Sequence, residues 1–149
     1  MKKLIFIALA CLLVAYVIRD GGTYLHQLKW KSANISHYRF QLSIQCFCMF
    51  YLNHMPVTVE VQDGEIVSII DSSGTVIPSE NENYKDISRF ATVDRLFSTL
   101  RANLGSRADE FTVTYDFRYG FPTEIRIDRS KNIADDEWAL NVSGFVALP

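Results

Sequence analysis

The chain has 149 residues, 48% hydrophobic and 21% charged, which excludes a disordered chain and fits one compact domain. Of its 15 basic and 17 acidic side chains, only Lys2, Lys3, Arg19 and Asp20 lie in the first 22 residues, so the remainder has 12 and 16 and a net charge of −4. That sign argues against nucleic acid as a partner, because binding phosphates requires clustered lysine and arginine.

The N-terminus carries an uncharged apolar run, Leu4–Ile18, after two lysines. A basic start followed by an apolar segment is typical of a secretory signal. Fifteen helical residues extend about 22 Å, less than the roughly 30 Å hydrocarbon core, so a signal peptide and a short membrane anchor remain alternatives. We therefore predict a signal peptide or anchor over residues 1–19. Residues 20–149 are predicted as one exported, membrane-associated domain outside the cytoplasm, periplasmic or at the cell surface.

Cys11 lies inside this run and follows Ala8, Leu9 and Ala10. The segment partly matches the box that precedes a lipidated bacterial cysteine, which makes Cys11 a candidate lipidation site. The alternative is an ordinary apolar thiol in a membrane segment.

The first elements of the domain are a helix and a long strand. A helix is predicted over Tyr24–Ser36, because apolar residues recur there at helical spacing at Leu25, Leu28 and Ile35. The period of the apolar residues then changes to two over Tyr38–Phe50, which predicts a strand.

A hairpin follows. Val57–Gln62 alternates, Asp63-Gly64 is typical of a type I′ turn, and the return strand would pair Val61 with Ile66 and Val57 with Ile70. Residues 72–88 are polar and show no steady period, so we predict a long loop there.

The second half of the sequence predicts one helix and three strands. Thr92 is placed to cap a helix whose apolar face includes Val93, Leu96 and Leu100. Alternating residues predict strands around residues 111–115, 125–127 and 138–142. The sequence thus predicts an α+β fold: an antiparallel sheet of about five to six strands with two helices packed on one face.

Several short motifs lie along these elements: Cys46-Phe47-Cys48, Asp63-Gly64, Tyr119-Gly120-Phe121-Pro122 and Ile125-Arg126-Ile127-Asp128. From about Trp30 to the C-terminus the chain resembles an uncharacterised bacterial family, domain of unknown function 6174. The resemblance implies export or membrane attachment in bacteria and no established activity.

Cys46 and Cys48 form the first candidate site. In a strand their Cα atoms would lie about 6.5–7 Å apart, at the limit for a disulfide, so a bond between them needs a bend. With His54 they supply three zinc ligands, where a structural site uses four. We favour buried thiols in the core, and a disulfide and a redox or metal site remain alternatives.

The β-turn at Arg118–Pro122 is the second candidate site. Asp116, Tyr119 and Phe121 are candidate binding residues of a recognition loop. The alternative, which we prefer, is that Gly120 and Pro122 shape the turn while the aromatic rings cover the hairpin.

Asp128 is a further candidate binding residue, because it lies near the densest group of carboxylates, residues 135–137. Such oxygens bind Ca²⁺, but their spacing lacks the pattern of a calcium loop, which favours a solvated acidic loop.

No catalytic motif is present: the three histidines are scattered and no phosphate-binding glycine loop occurs. We therefore expect no catalytic residue, no metal and no cofactor. The expected function is an exported, membrane-attached, non-catalytic binding or envelope-accessory module whose partner is an unknown envelope protein or small ligand. The alternatives are a thiol-redox or metal-binding protein that uses Cys46 and Cys48, and, less favoured, a small hydrolase that uses Asp116 and Asp128.

Overall fold

The computed structural model describes residues 22–46, 54–104, 108–130, 132–133 and 137–149. The predicted signal or anchor, Cys11, Cys48 and the acidic residues Asp135 and Asp136 lie outside these ranges. The elements in chain order are α1 (residues 22–32), β1 (His37–Cys46), β2 (Val57–Gln62), β3 (Glu65–Ile70), α2 (Glu82–Ser88), α3 (Val93–Asn103), β4 (Glu110–Tyr115), β5 (Pro122–Asp128) and β6 (Glu137–Ala147). Among the described helices, none has the length and apolar character needed to cross a bilayer.

The six strands form one antiparallel sheet in the order β3-β2-β1-β6-β5-β4. Each half of the chain supplies three consecutive strands, and the halves join where β1 pairs with β6. The predicted α+β class and antiparallel sheet are confirmed. The predicted helix count is wrong, because the described residues hold three helices.

The additional helix, α2, occupies the last seven residues of the segment predicted as a loop. Asn81 caps it, and the side chain of Asn81 accepts a hydrogen bond of 2.9 Å from the backbone N–H of Asn83. Ile87 is its one buried residue, so the sequence shows no apolar period there and the loop prediction fails.

The first hairpin has the predicted turn but a different register. Asp63 and Gly64 have φ angles of 52° and 82°, as a type I′ turn requires, and Val61 pairs with Ile66. A register shift between Glu60 and Val61 leaves an extra residue in β3, so Thr58, and not Val57, pairs with Ile70. The predicted pairing of Val57 is therefore wrong.

The core lies between the helices and one face of the sheet. α3 contributes Leu96, Phe97 and Leu100, each fully buried, and burying each such side chain stabilises the fold by about 1.5–3 kcal/mol. The buried hydroxyl of Tyr38 in β1 accepts a hydrogen bond of 3.1 Å from the backbone N–H of Val93, which fixes the start of α3 to the sheet.

α1 packs through a different face from the one predicted. Trp30 and Thr23 are buried, whereas Leu25 and Leu28 are 64% and 45% exposed. Trp30 sets this orientation, because its ring contacts three aromatic rings edge to face: Tyr38, Phe121 and Phe145. The helix also ends before the predicted Ser36, since Asn34 adopts a positive φ of 49°.

Candidate functional site

A cavity of about 510 Å³ opens at the end of the sheet where β1 ends and β6 begins. The ends of α2 and α3 cover its other side. Its volume falls within the range of small-molecule sites. The lining residues come from β1, α2, α3 and β6 and from the segments that follow α2 and β5: Ile44, Cys46, Asp86, Arg89, Phe90, Thr99, Ala102, Asn103, Arg129 and Trp138.

One wall of this cavity is apolar. The half-buried rings of Phe90 and Trp138 lie 6.0 Å apart between centroids, tilted by 38°. Ile44 is buried and also lines the cavity, and Cys46 is the register partner of Trp138. Two neighbouring aromatic faces and an aliphatic side chain can bury an apolar ring or a short acyl group.

The rim of the cavity carries two exposed arginines. Arg89 follows α2 and forms an ion pair of 3.5 Å with Asp86, and Arg129 follows β5. Both members of the ion pair are exposed, so water weakens it and a stronger anion can replace Asp86. Guanidinium groups bind carboxylates and phosphates through paired hydrogen bonds. The rim therefore suits a ligand with a negative end.

Of the two candidate cysteines, the structure describes Cys46 and not Cys48. Cys46 is disulfide-bonded and lies at the cavity wall, half-buried. The favoured interpretation of buried free thiols is therefore wrong for Cys46, and the alternative of a disulfide applies to it. Cys48, the partner considered in the sequence, lies outside the described residues, so the Cys46–Cys48 pairing stays a prediction.

His54, the third ligand of the zinc site considered in the sequence, does not line the cavity and lies beside Asp71. Its Nδ1 is 3.3 Å from a carboxylate oxygen of Asp71. Asp71 also accepts hydrogen bonds from Ser73 and Thr75, which lower the pKa of its carboxyl to about 2. Within the described ranges, no group of three or more histidine, cysteine or acidic residues is arranged to hold a metal ion.

Three candidates from the sequence meet at the turn between β4 and β5. A carboxylate oxygen of Asp116 accepts a hydrogen bond from the backbone N–H of Tyr119. The ring of Tyr119 packs against Phe145 at 5.6 Å, and Phe121 is 2% exposed with its ring 4.5 Å from that of Phe145. These contacts hold the turn against the core, and a binding role for the three residues stays a prediction.

Asp128 is separate from that turn, at the other end of β5 and therefore about 20 Å away at the rise of an extended strand. It pairs with Glu110 on one side and Glu137 on the other. The three carboxylates form a row across the sheet on the face opposite the core. The structure thus brings the four predicted binding residues to two places rather than one.

His26 is a feature that sequence reasoning missed. Its ring stacks on Tyr115 at 3.8 Å, and its Nδ1 is buried without a hydrogen-bond partner. Burial, and then the charge of Lys29, lowers the pKa of His26, so the ring is neutral near pH 7. This environment stabilises a stacked neutral imidazole and holds α1 against β4.

The fold and the cavity define a small α+β domain with one helical layer, one sheet face open to solvent and an apolar cavity with a cationic rim. The family model described as "Family of unknown function (DUF6174)" matches residues 24–147, and the chain belongs to that family. The matched segment extends from α1 to the last residue of β6. No curated protein and no solved structure matches the chain.

Proposed function

We propose that the chain is an exported, membrane-attached, non-catalytic binding module whose cavity beside Cys46 takes a small amphipathic anion. The observation that carries this proposal is the pairing of an aromatic wall, Phe90 and Trp138, with two arginines at its rim. The apolar N-terminal run supports export and attachment, since its length and basic start are those of a signal or short anchor.

The cavity assigns a role to each part of the ligand. Its apolar part displaces water from the tilted rings, and its anionic end reaches Arg89 or Arg129 at the opening. A neutral ligand of the same shape keeps the apolar contact with the rings and loses the attraction to the arginines. Charge dependence is therefore the property that tests the site.

The test uses the full chain in lipid nanodiscs, titrated with naphthalene-carboxylate and with the corresponding carboxamide. In a Trp30→Phe background, fluorescence of Trp138 reports occupancy directly. We expect the carboxylate to bind more tightly, and Arg89→Gln with Arg129→Gln to weaken it about tenfold, a loss of about 1.4 kcal/mol. Arg126→Gln, an exposed arginine on the open sheet face, is the matched control. Equal binding of acid and amide, or an equal loss in the control, refutes the proposal.

A second candidate function rests on Cys46, whose disulfide lies at the cavity wall. A thiol substrate in the cavity would lie beside that bond, as thiol–disulfide exchange requires. Equilibration of the full chain with glutathione buffers tests it. A potential above about −270 mV indicates a redox-active pair, and one below about −300 mV indicates a structural disulfide. Cys46→Ser should abolish exchange in the first case and lower only stability in the second.

A further inference from the structure

Four large apolar side chains are exposed together on α1 and on the turn between β4 and β5. Tyr24, Leu25 and Leu28 are 62%, 64% and 45% exposed, and Phe117 is 94% exposed. We call these four residues the α1 patch. Single exposed apolar residues are ordinary on protein surfaces, whereas a contiguous group marks an interaction surface.

The helix and the turn form one continuous surface. Lys29 lies one helical turn after Leu25, and its Nζ donates a hydrogen bond to the backbone carbonyl of Phe117. The same Nζ is 5.2 Å from the centroid of the Phe117 ring. At 100° per residue, Tyr24, Leu25 and Leu28 point away from the buried residues of α1. The patch therefore faces outward from the domain.

Basic side chains border the α1 patch. Lys29 and Lys31 flank the outer face of α1, and Arg118 follows Phe117 in the turn, all three exposed. The one described acidic residue of the turn, Asp116, accepts the hydrogen bond from Tyr119. An apolar stripe bordered by cations matches the interface of a bilayer that contains anionic lipids.

Chain length places this surface near the proposed anchor. The apolar run ends at Ile18, five residues before Thr23, the first buried residue of α1. Five fully extended residues span at most about 17 Å. If the run enters the bilayer, the start of α1 stays within that distance of the run's end.

From these observations we infer that the α1 patch docks on the surface of an anionic phospholipid bilayer, with Phe117 and Leu28 among the headgroups and lysine and arginine against the phosphates. The inference rests on the proposed membrane attachment. It turns the outer face of α1 and the β4–β5 turn towards the bilayer, and it leaves β3, at the opposite edge of the sheet from β4, farther away.

Site-specific photo-crosslinking of the full chain tests the docking. A benzophenone-bearing side chain replaces Phe117 or Leu28 in protein reconstituted in vesicles of phosphatidylethanolamine and phosphatidylglycerol. Val67 is the matched control, since it is 55% exposed on β3, about 24 Å across the sheet from β4. We expect a several-fold higher yield of lipid adduct at positions 117 and 28 than at 67. The yield should fall when phosphatidylcholine replaces phosphatidylglycerol.

Three other outcomes would each overturn the docking. Equal or absent lipid adducts, in protein that still floats with the vesicles, overturn the docking and leave the membrane attachment intact. Crosslinks to a second copy of the chain overturn it in favour of self-association through the same face. Protein that does not float with the vesicles overturns both proposals. Because the substituted side chains are exposed, the domain should keep its fold, which an unchanged unfolding midpoint confirms.

Discussion

Gly120 gives the sharpest test of how α1 sits on the β4–β5 turn. Its φ is +82°, and a Cβ there would lie 2.8 Å from the backbone oxygen of His26 and 3.1 Å from the Cβ of Lys29. The positive φ costs an L-residue about 1–2 kcal/mol. The oxygen belongs to the helix backbone, so the contact is relieved only by moving α1, and overpacking of this kind costs a further 1–3 kcal/mol or so. We expect Gly120→Ala to lower the free energy of unfolding by about 2–5 kcal/mol.

Gly64 is the matched control, because it has the same φ of +82° but nothing within 4 Å of the added Cβ. Gly64→Ala should therefore cost only the conformational part, about 1–2 kcal/mol. Urea unfolding of the full chain in detergent micelles measures both, with Trp30 fluorescence as the probe in a Trp138→Phe background. Equal losses in the two variants would show that α1 does not approach the turn as closely as described.

Three further predictions concern single side chains. The hydrogen bonds that lower the pKa of Asp71 to about 2 make its contribution to stability complete above pH 3.8 and lost as the pH falls towards 2; Asp71→Asn should lack this loss in unfolding measured against pH. The hydrogen bond that the ring of His37 donates to the carboxylate of Glu60, and then the one to the backbone oxygen of Pro149, raise the pKa of His37 above 6.5. Its contribution to stability is therefore complete below pH 6.5 and declines as the pH rises through the raised value; in His37→Gln that decline should be absent. Tyr38→Phe leaves the N–H of Val93 without its buried partner and should cost about 1–2 kcal/mol in urea unfolding, whereas an unchanged midpoint would contradict that contact.

Local sequence patterns predict those elements that a single pattern describes from end to end, such as a turn motif or a helical apolar period. The type I′ turn followed from Asp63-Gly64, and α3 followed from Thr92 and its apolar period. The register of β3 did not, because the bulge beside Glu60 changes the alternation without any residue that marks it in the sequence. The face of α1 was misjudged because one tryptophan in an aromatic cluster outweighs two leucines.

The candidate cavity shows why a site is harder to predict than a fold. The sequence predicts Cys46 as a site residue and Trp138 as a strand residue, but nothing in their spacing brings them together. Arg89 and Phe90 follow a segment predicted as a loop, and Arg129 is the residue after β5. Only the pairing of β1 with β6 and the packing of α2 place these residues around one space, and no local pattern carries that information.

The central position of β6 has a consequence for how the chain acquires its structure. β1 forms early in the chain and needs β6, the last strand, as its neighbour in the middle of the sheet. Until residues 137–147 have been synthesised, β1 has one unpaired edge and Trp30 lacks the ring of Phe145. Closure of the sheet therefore waits until β6 has been synthesised. Under the export proposed above, the same delay would leave the β6-facing edge of β1 unpaired while the chain passes through a translocation channel.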